Sequence, residues 1–82
     1  MEVKGRVYIL LLGNGQYYVG STNDLERRTA QHKAGKVIAT KGKLPLKLIY
    51  TREYETLSEA RSAEYHLKQK KSRKYIEIFM KS

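Results

Sequence analysis

The stretch Tyr18-Val19-Gly20-Ser21-Thr22-Asn23-Asp24-Leu25-Glu26-Arg27-Arg28 carries the chain from an extended segment straight into a helix. Its opening continues the run from Gln16 to Val19, whose aromatic and β-branched residues read as a strand. Its closing residues begin a helix, because Leu25, Arg28, Thr29 and His32 recur at helical spacing. Asn23 is a good N-cap, and Glu26 stands three residues later, where a capping-box acid belongs. Gly35 stops this helix.

Working outward toward the N-terminus, Arg6 to Leu12 reads as a strand without a breaker, and Gly13-Asn14-Gly15 marks a turn. Two hairpins fit these residues. A two-residue Asn14-Gly15 turn pairs Leu11 with Tyr18 and puts Tyr8 and Tyr18 on opposite faces. A three-residue loop, with Gly15 in the left-handed region, pairs Tyr8 with Gly20 and Leu10 with Tyr18. In that register the two tyrosines share a face as diagonal neighbours, roughly 7–8 Å apart at Cα. Both turns are common, so local patterning does not choose between them.

Toward the C-terminus, Lys36 to Lys43 forms a basic, Gly-containing loop, and Pro45 opens a third strand. There Leu46, Leu48 and Tyr50 alternate with Lys47 and Ile49. Thr56-Leu57-Ser58-Glu59 matches a capping box and starts a second helix. A basic run from Lys68 to Lys74 follows. The tail carrying Tyr75, Ile76, Phe79 and Met80 reads as an amphipathic helix, with a strand as the alternative. The predicted architecture is α/β: a small three-stranded antiparallel sheet flanked by helices, in the order strand, strand, helix, strand, helix, helix. Residues 1–82 are expected to form one domain.

Composition narrows the function. Seventeen Lys and Arg against eight Asp and Glu leave a formal charge of +9 on 82 residues. A field of that sign concentrates polyanions, and phosphate contacts need no sequence reading. Nucleic acid is therefore the expected partner, and a membrane is not, since no helix sets large apolar residues against a Lys-rich face. With no cysteine, disulfides and thiolate zinc sites are excluded. The absence of a leader-like N-terminus and of cysteine predicts a cytoplasmic protein. The longest apolar run, Val7 to Leu12, is too short to cross a bilayer.

Several residues invite chemistry. On the second helix Ala60, Ala63 and Leu67 mark the inward stripe, and Glu64 lies within it. A carboxylate there costs several kcal/mol of desolvation unless a cation or donors satisfy it. Its plain alternative is an edge-of-stripe Glu paired with a Lys. Arg28 and His32, at i and i+4, share one helix face and together suit a phosphate clamp. For that pair alone, a surface Arg beside a solvated His explains the spacing as well. Arg27 points about 100° away, toward backbone phosphate or solvent. Seven tyrosines are many for this length, though each alone is an ordinary core or cross-strand residue. A phenol acting as a base needs its ordinary pKa near 10 lowered.

Together these residues resemble the GIY-YIG nuclease family, in particular its small bacterial stand-alone subgroup. Val7-Tyr8-Ile9 stands for the first signature element and Tyr18-Val19-Gly20 for the second, with Tyr8 and Tyr18 ten residues apart. Arg28 falls at the place of the family's helical Arg, His32 at that of a His or Tyr, and Glu64 at that of the metal-binding Glu. The resemblance spans roughly residues 5 to 75, and four elements in order make it specific. It selects the three-residue hairpin loop, which brings both tyrosines into one site. Two departures stand out: Val-Tyr-Ile replaces the name-giving triplet, and Ser21 occupies a place where many members carry a Lys. If that Lys activates a tyrosine in relatives, Lys33, Lys36 or His32 must substitute here.

The resemblance implies a metal-dependent endonuclease that hydrolyses phosphodiester bonds by in-line attack of water. Glu64 would hold one Mg²⁺ or Mn²⁺, Arg28 would neutralise a non-bridging oxygen, and Tyr8 or Tyr18 would position or deprotonate the water. His32 would orient one of these groups or donate to phosphate. Backbone grip is expected from Arg27, Lys33, Lys36, Lys41, Lys43, Lys68, Lys70, Lys71, Arg73 and Lys74, with steep salt dependence. DNA is the expected substrate over RNA, cut with low sequence specificity and by structure, in repair or recombination. Two other functions compete: a non-catalytic binding module of the same fold, and an accessory protein that docks on a protein partner through an exposed Tyr75 to Met80 tail.

Overall fold

The computed structural model describes residues 3–82. Its elements run β1 (Gly5–Leu11), β2 (Tyr17–Thr22), α1 (Leu25–Lys33), β3 (Lys47–Tyr54), α2 (Leu57–Lys70) and α3 (Arg73–Lys81). The strands form one antiparallel sheet in the order β2-β1-β3, so β1 is central and β2 is an edge. This is the predicted architecture.

The hairpin takes the three-residue loop. Tyr8 pairs with Gly20 and Leu10 with Tyr18. The Leu12 amide donates to the Gln16 carbonyl at 2.9 Å, and Gly15 takes φ 85°, a left-handed value that glycine adopts without a Cβ clash. The register has a second cause at Gly20. The ring of Tyr8 lies over that residue so closely that a Cβ there would overlap its Cζ and hydroxyl.

β1 alternates cleanly, and each face of the sheet receives helices. Val7 and Ile9 join Val19, Ala60 and Leu67 in a core covered by α2 and α3. Tyr8, Leu10 and Leu12 point the other way and pack with Tyr18, Leu25 and Leu46. Gly5 lets α2 approach β1 closely, since a Cβ there would sit 2.7 Å from the Leu57 Cα and 2.9 Å from the Ala60 Cβ.

Local readings needed three corrections. Asp24, not Asn23, caps α1: its carboxylate accepts the Arg27 amide at 3.0 Å, while the Thr22 hydroxyl accepts the Asp24 amide at 3.0 Å. Both residue types cap well, and the Thr22 bond fixes the choice. The alternation of Leu46, Leu48 and Tyr50 breaks at a bulge, where Ile9 pairs with Tyr50 and Leu10 with Leu48. The extra residue, Ile49, sends Tyr50 to the α2 and α3 face while Leu46 stays opposite. Finally, β3 begins at Lys47, two residues after Pro45.

Other boundaries agree. Thr56 and Glu59 cap α2, with the Glu59 amide donating to the Thr56 hydroxyl at 3.1 Å. The tail is helical, capped by Ser72, and its Ile76, Phe79 and Met80 pack onto the sheet. Only Tyr75 and Ile78 of its large apolar residues are exposed. No described helix is long and apolar enough to cross a membrane.

Candidate active site

The candidate residues converge on the β2 edge from both faces of the sheet. Tyr8 and Tyr18 lie side by side with ring centroids 6.4 Å apart, as the register requires. α1 lays His32 against both, its ring meeting Tyr8 edge-on at 5.6 Å and Tyr18 at 5.1 Å. One turn earlier on α1, the Arg28 guanidinium faces the hydroxyls of both tyrosines and donates to the Gln31 side chain at 3.0 Å. From the other face, α2 supplies the Glu64 carboxylate and β2 supplies Ser21 to meet it. The Ser21 hydroxyl donates to Glu64 Oε1, and Lys68 Nζ sits 2.7 Å from Glu64 Oε2. That same Nζ lies 5.3 Å from the Tyr18 ring centroid, which ties the two halves together.

His32 is not the solvated side chain that its spacing alone allowed. It is 0 % exposed, with Nε2 2.8 Å from the Tyr8 hydroxyl and Nδ1 2.8 Å from the Thr40 hydroxyl. Thr40 is also 0 % exposed and directs its own proton to the Val37 carbonyl at 3.4 Å. With Nδ1 protonated, the ring donates to Thr40 and Nε2 accepts the Tyr8 proton. Burial, with Arg28 nearby, holds the His32 pKa below its ordinary 6.5, so the ring is neutral. Burial also raises the Tyr8 pKa above 10.0, against the lowering effect of Arg28, so the resting phenol keeps its proton.

Thr40 is the residue that sequence reading missed. It sits in the basic loop, whose backbone folds back so that the Lys43 carbonyl accepts the Gly13 amide at 2.7 Å. Nothing in its neighbours signals burial. Of the three substitutes expected for a Lys at position 21, His32 meets a tyrosine. Lys33 lines a separate cleft with Arg6 and Leu25, and Lys36 is an exposed loop residue.

The basic residues divide. Lys68, Lys71 and Arg73 line a groove of about 450 Å³ beside Tyr17 and Tyr18. Arg27 and Arg28 line a polar cleft beyond Ser21, together with Arg61, which nothing in its sequence context singled out. Lys70 turns toward Tyr75, 5.3 Å from its ring centroid, while Lys74 and Lys41 are exposed and Lys43 half-buried.

Glu64 is paired with Lys68 one turn on, which is the plain alternative that the sequence allowed for it. Its side chain is 21 % exposed at the rim, and it is satisfied by a hydroxyl and by Lys68, whose own side chain is 49 % exposed. No three His, Cys, Asp or Glu converge among the described residues. Glu64 would thus be the protein ligand, with water and substrate oxygens completing the shell, a pattern Mg²⁺ accepts.

Known proteins resemble this chain over most of its length. The GIY-YIG catalytic domain matches residues 4–76. A UPF0213 protein of Streptococcus pneumoniae is 44% identical over 72 residues, covering 87% of this chain and 73% of the relative. A UPF0213 protein of Halobacterium salinarum is 41% identical over 64 residues, covering 77% of this chain and 83% of the relative. Among solved structures, the UPF0213 protein of Bacillus halodurans superposes with a TM-score of 0.61 at 35% identity, covering 94% of this chain and 82% of that one. A protein from Enterococcus faecalis (E. faecalis) gives 0.60 at 33% identity, covering 100% of this chain and 94% of that one.

Proposed function

The chain belongs to the GIY-YIG catalytic-domain family, and from that premise we propose that it is a divalent-metal-dependent endonuclease acting on DNA rather than RNA. The observation that carries this reading is the buried chain of hydrogen bonds from Tyr8 through neutral His32 to Thr40, beside Arg28 and across the strand edge from Glu64. A binding surface has no use for a buried proton acceptor aimed at a phenol. A base that must act from Tyr8 does.

The chemistry follows from the donors and acceptors. Water attacks phosphorus in line and loses a proton to the Tyr8 oxygen as the Tyr8 proton moves to His32 Nε2. A resting phenol with a raised pKa cannot act alone, and the neutral imidazole relieves that limit. Thr40 holds His32 in the accepting tautomer. Arg28 donates to a non-bridging oxygen as charge builds there. Glu64 would hold a Mg²⁺ or Mn²⁺ ion, whose chemistry when bound would be charge stabilisation of the phosphate and leaving oxygens. The leaving oxygen takes a proton from solvent, giving an alcohol and a phosphomonoester. Tyr18 borders the pocket and presents its ring to Lys68 and His32. Selection by substrate shape, and a place in repair or recombination, belong to this same reading.

One observation favours a second reading, a binding module without turnover: both Glu64 oxygens already have protein partners. Labelled single-stranded, duplex, flapped and branched DNA separates the two. Mg²⁺-dependent cleavage that disappears in Glu64→Gln and Arg28→Ala, with binding retained, supports the enzyme. Binding that is indifferent to metal and to both substitutions, with no cleavage anywhere, leaves the module.

A further inference from the structure

Two hollows flank Glu64, and they differ in chemistry. Arg61, Glu64 and Lys68 lie on one stripe of α2, at i, i+3 and i+7. Seven residues of helix span about 10 Å, with the carboxylate between the two cations. At the Arg61 end, the polar cleft is lined by Ser21, Asn23, Arg27, Arg28 and Gln31 as well. Those side chains offer donors to phosphate and no aromatic surface. At the Lys68 end, the groove has an apolar floor of Val19, Leu67 and Ile76, with tyrosines on its wall. Its volume of about 450 Å³ falls in the roughly 300–1,000 Å³ range of small-ligand pockets.

Arg73 is the distinctive part of that groove. Its guanidinium carbon stands 4.1 Å from the Tyr17 ring centroid. Nη1 donates to the Gly15 carbonyl at 2.7 Å, and Nε lies 3.7 Å from Glu77 Oε2, which also accepts the Tyr17 hydroxyl at 2.9 Å. Phosphate grip needs only a mobile cation. A planar cation fixed over an aromatic ring is instead a platform for a nucleobase. Exposed Lys68 and Lys71 at the rim are placed for the phosphates on either side of that base.

Resting on the nuclease reading above, we propose that the substrate is DNA with an unpaired nucleotide beside the scissile phosphate. Its base enters the Tyr17–Arg73 groove, and the strand on the other side of the cut is held through phosphate alone by Arg27 and Arg61. A paired base cannot reach the groove floor without leaving its duplex, so a perfect duplex is the poorer substrate.

The test uses the full chain carrying Glu64→Gln, so that binding is read without cleavage. 2-Aminopurine is placed at successive positions of a gapped duplex. Quenching at one or two adjacent unpaired positions, lost in Arg73→Lys while the salt dependence of binding stays the same, is the expected result. Arg73→Lys keeps the charge and removes the plane, so it separates stacking from attraction. Equal quenching at every unpaired position, or tight binding with none, overturns the proposal. In the cleaving protein, Arg73→Lys should narrow the preference for gapped over intact duplex by roughly tenfold, the scale of one lost base stack. Arg61→Ala should slow both substrates alike. Matching effects of the two substitutions on the preference would also overturn it. If no DNA is cut at all, the nuclease reading fails, and the aminopurine pattern still decides whether the groove takes a base.

Discussion

The two faces of the sheet are equally dry and are packed by different rules. Under α2 and α3, Val7, Ile9, Val19, Ala60 and Leu67 make an apolar core that any well-fitting set of aliphatic side chains could replace. Under α1, Tyr8 and Leu10 are just as buried, and so are His32 and Thr40. Burying those polar groups is favourable only when each finds a partner, and among the described residues no buried side-chain nitrogen or oxygen lacks one. The first face needs shape, while the second needs both shape and a specific sequence of donors and acceptors. On the proposed function, that difference separates what holds the protein together from what makes it reactive.

Isosteric surgery on the α1 face should have the largest effect. Tyr8→Phe keeps the ring and removes the proton donor, so kcat should fall by about 10²–10⁴, the span of general acid–base contributions. Its stability should fall by about 1–3 kcal/mol, because the buried His32 Nε2 loses its partner. Wild-type cleavage by Tyr8→Phe would break the comparison outright. The complementary change is Ile9→Ala on the α2 face, expected to cost about 2–5 kcal/mol of stability while leaving kcat of the folded fraction unchanged. Chemical denaturation and single-turnover cleavage, run side by side, would show whether the two effects separate.

Thr40→Val should come next, at roughly tenfold in kcat, because it deletes one buried hydrogen-bond partner. Thr40→Ser should restore the rate, whereas a purely steric role would be served better by Val. The pH dependence sharpens the point further. His32 has its folded pKa pushed below 6.5 by burial and by Arg28. Between the folded value and 6.5 the unfolded chain binds the extra proton, so stability rises with pH across that window and is lost as pH falls through it. Cleavage should therefore persist below pH 6.5, where a free imidazole is already protonated, and decline only at the lower folded pKa of His32, and His32→Gln should remove that part of the stability profile. Smallest of all, Glu53→Gln, which breaks exposed pairs with Lys4 at 3.8 Å and Arg6 at 3.4 Å, should change stability by less than about 1 kcal/mol. A larger loss would mean that the polar surface contributes more than the buried network.

How far these differences were legible in the sequence varied with how local their causes are. The β1 strand and the Thr56 cap depend on neighbours along the chain and were read directly. Choosing between two hairpin registers needed the family resemblance, because the deciding contact, the Tyr8 ring over Gly20, joins residues twelve apart. Thr40 and Arg61 gave no signal. One acquires its role when the 36–43 loop folds back on α1, and the other looks like any solvated cation until Ser21 and Arg28 arrive opposite it. The bulge at Ile49 was hidden for the same reason: a strand's period shows nothing of an extra residue that only its partner strand exposes.

The close approach at Gly5 acts as a fulcrum for α2. Ala60 sits at that close approach, and Glu64 lies one turn beyond it, about 6 Å along the axis. Lys71, just past the end of the same helix, is about 16 Å away. Any rocking of α2 about that contact displaces its far end more than twice as much as it displaces the carboxylate. Mechanical tolerance is therefore graded along one rigid rod. The end that must be accurate rides on the short arm, and the end that must adapt to strands of different shape rides on the long one.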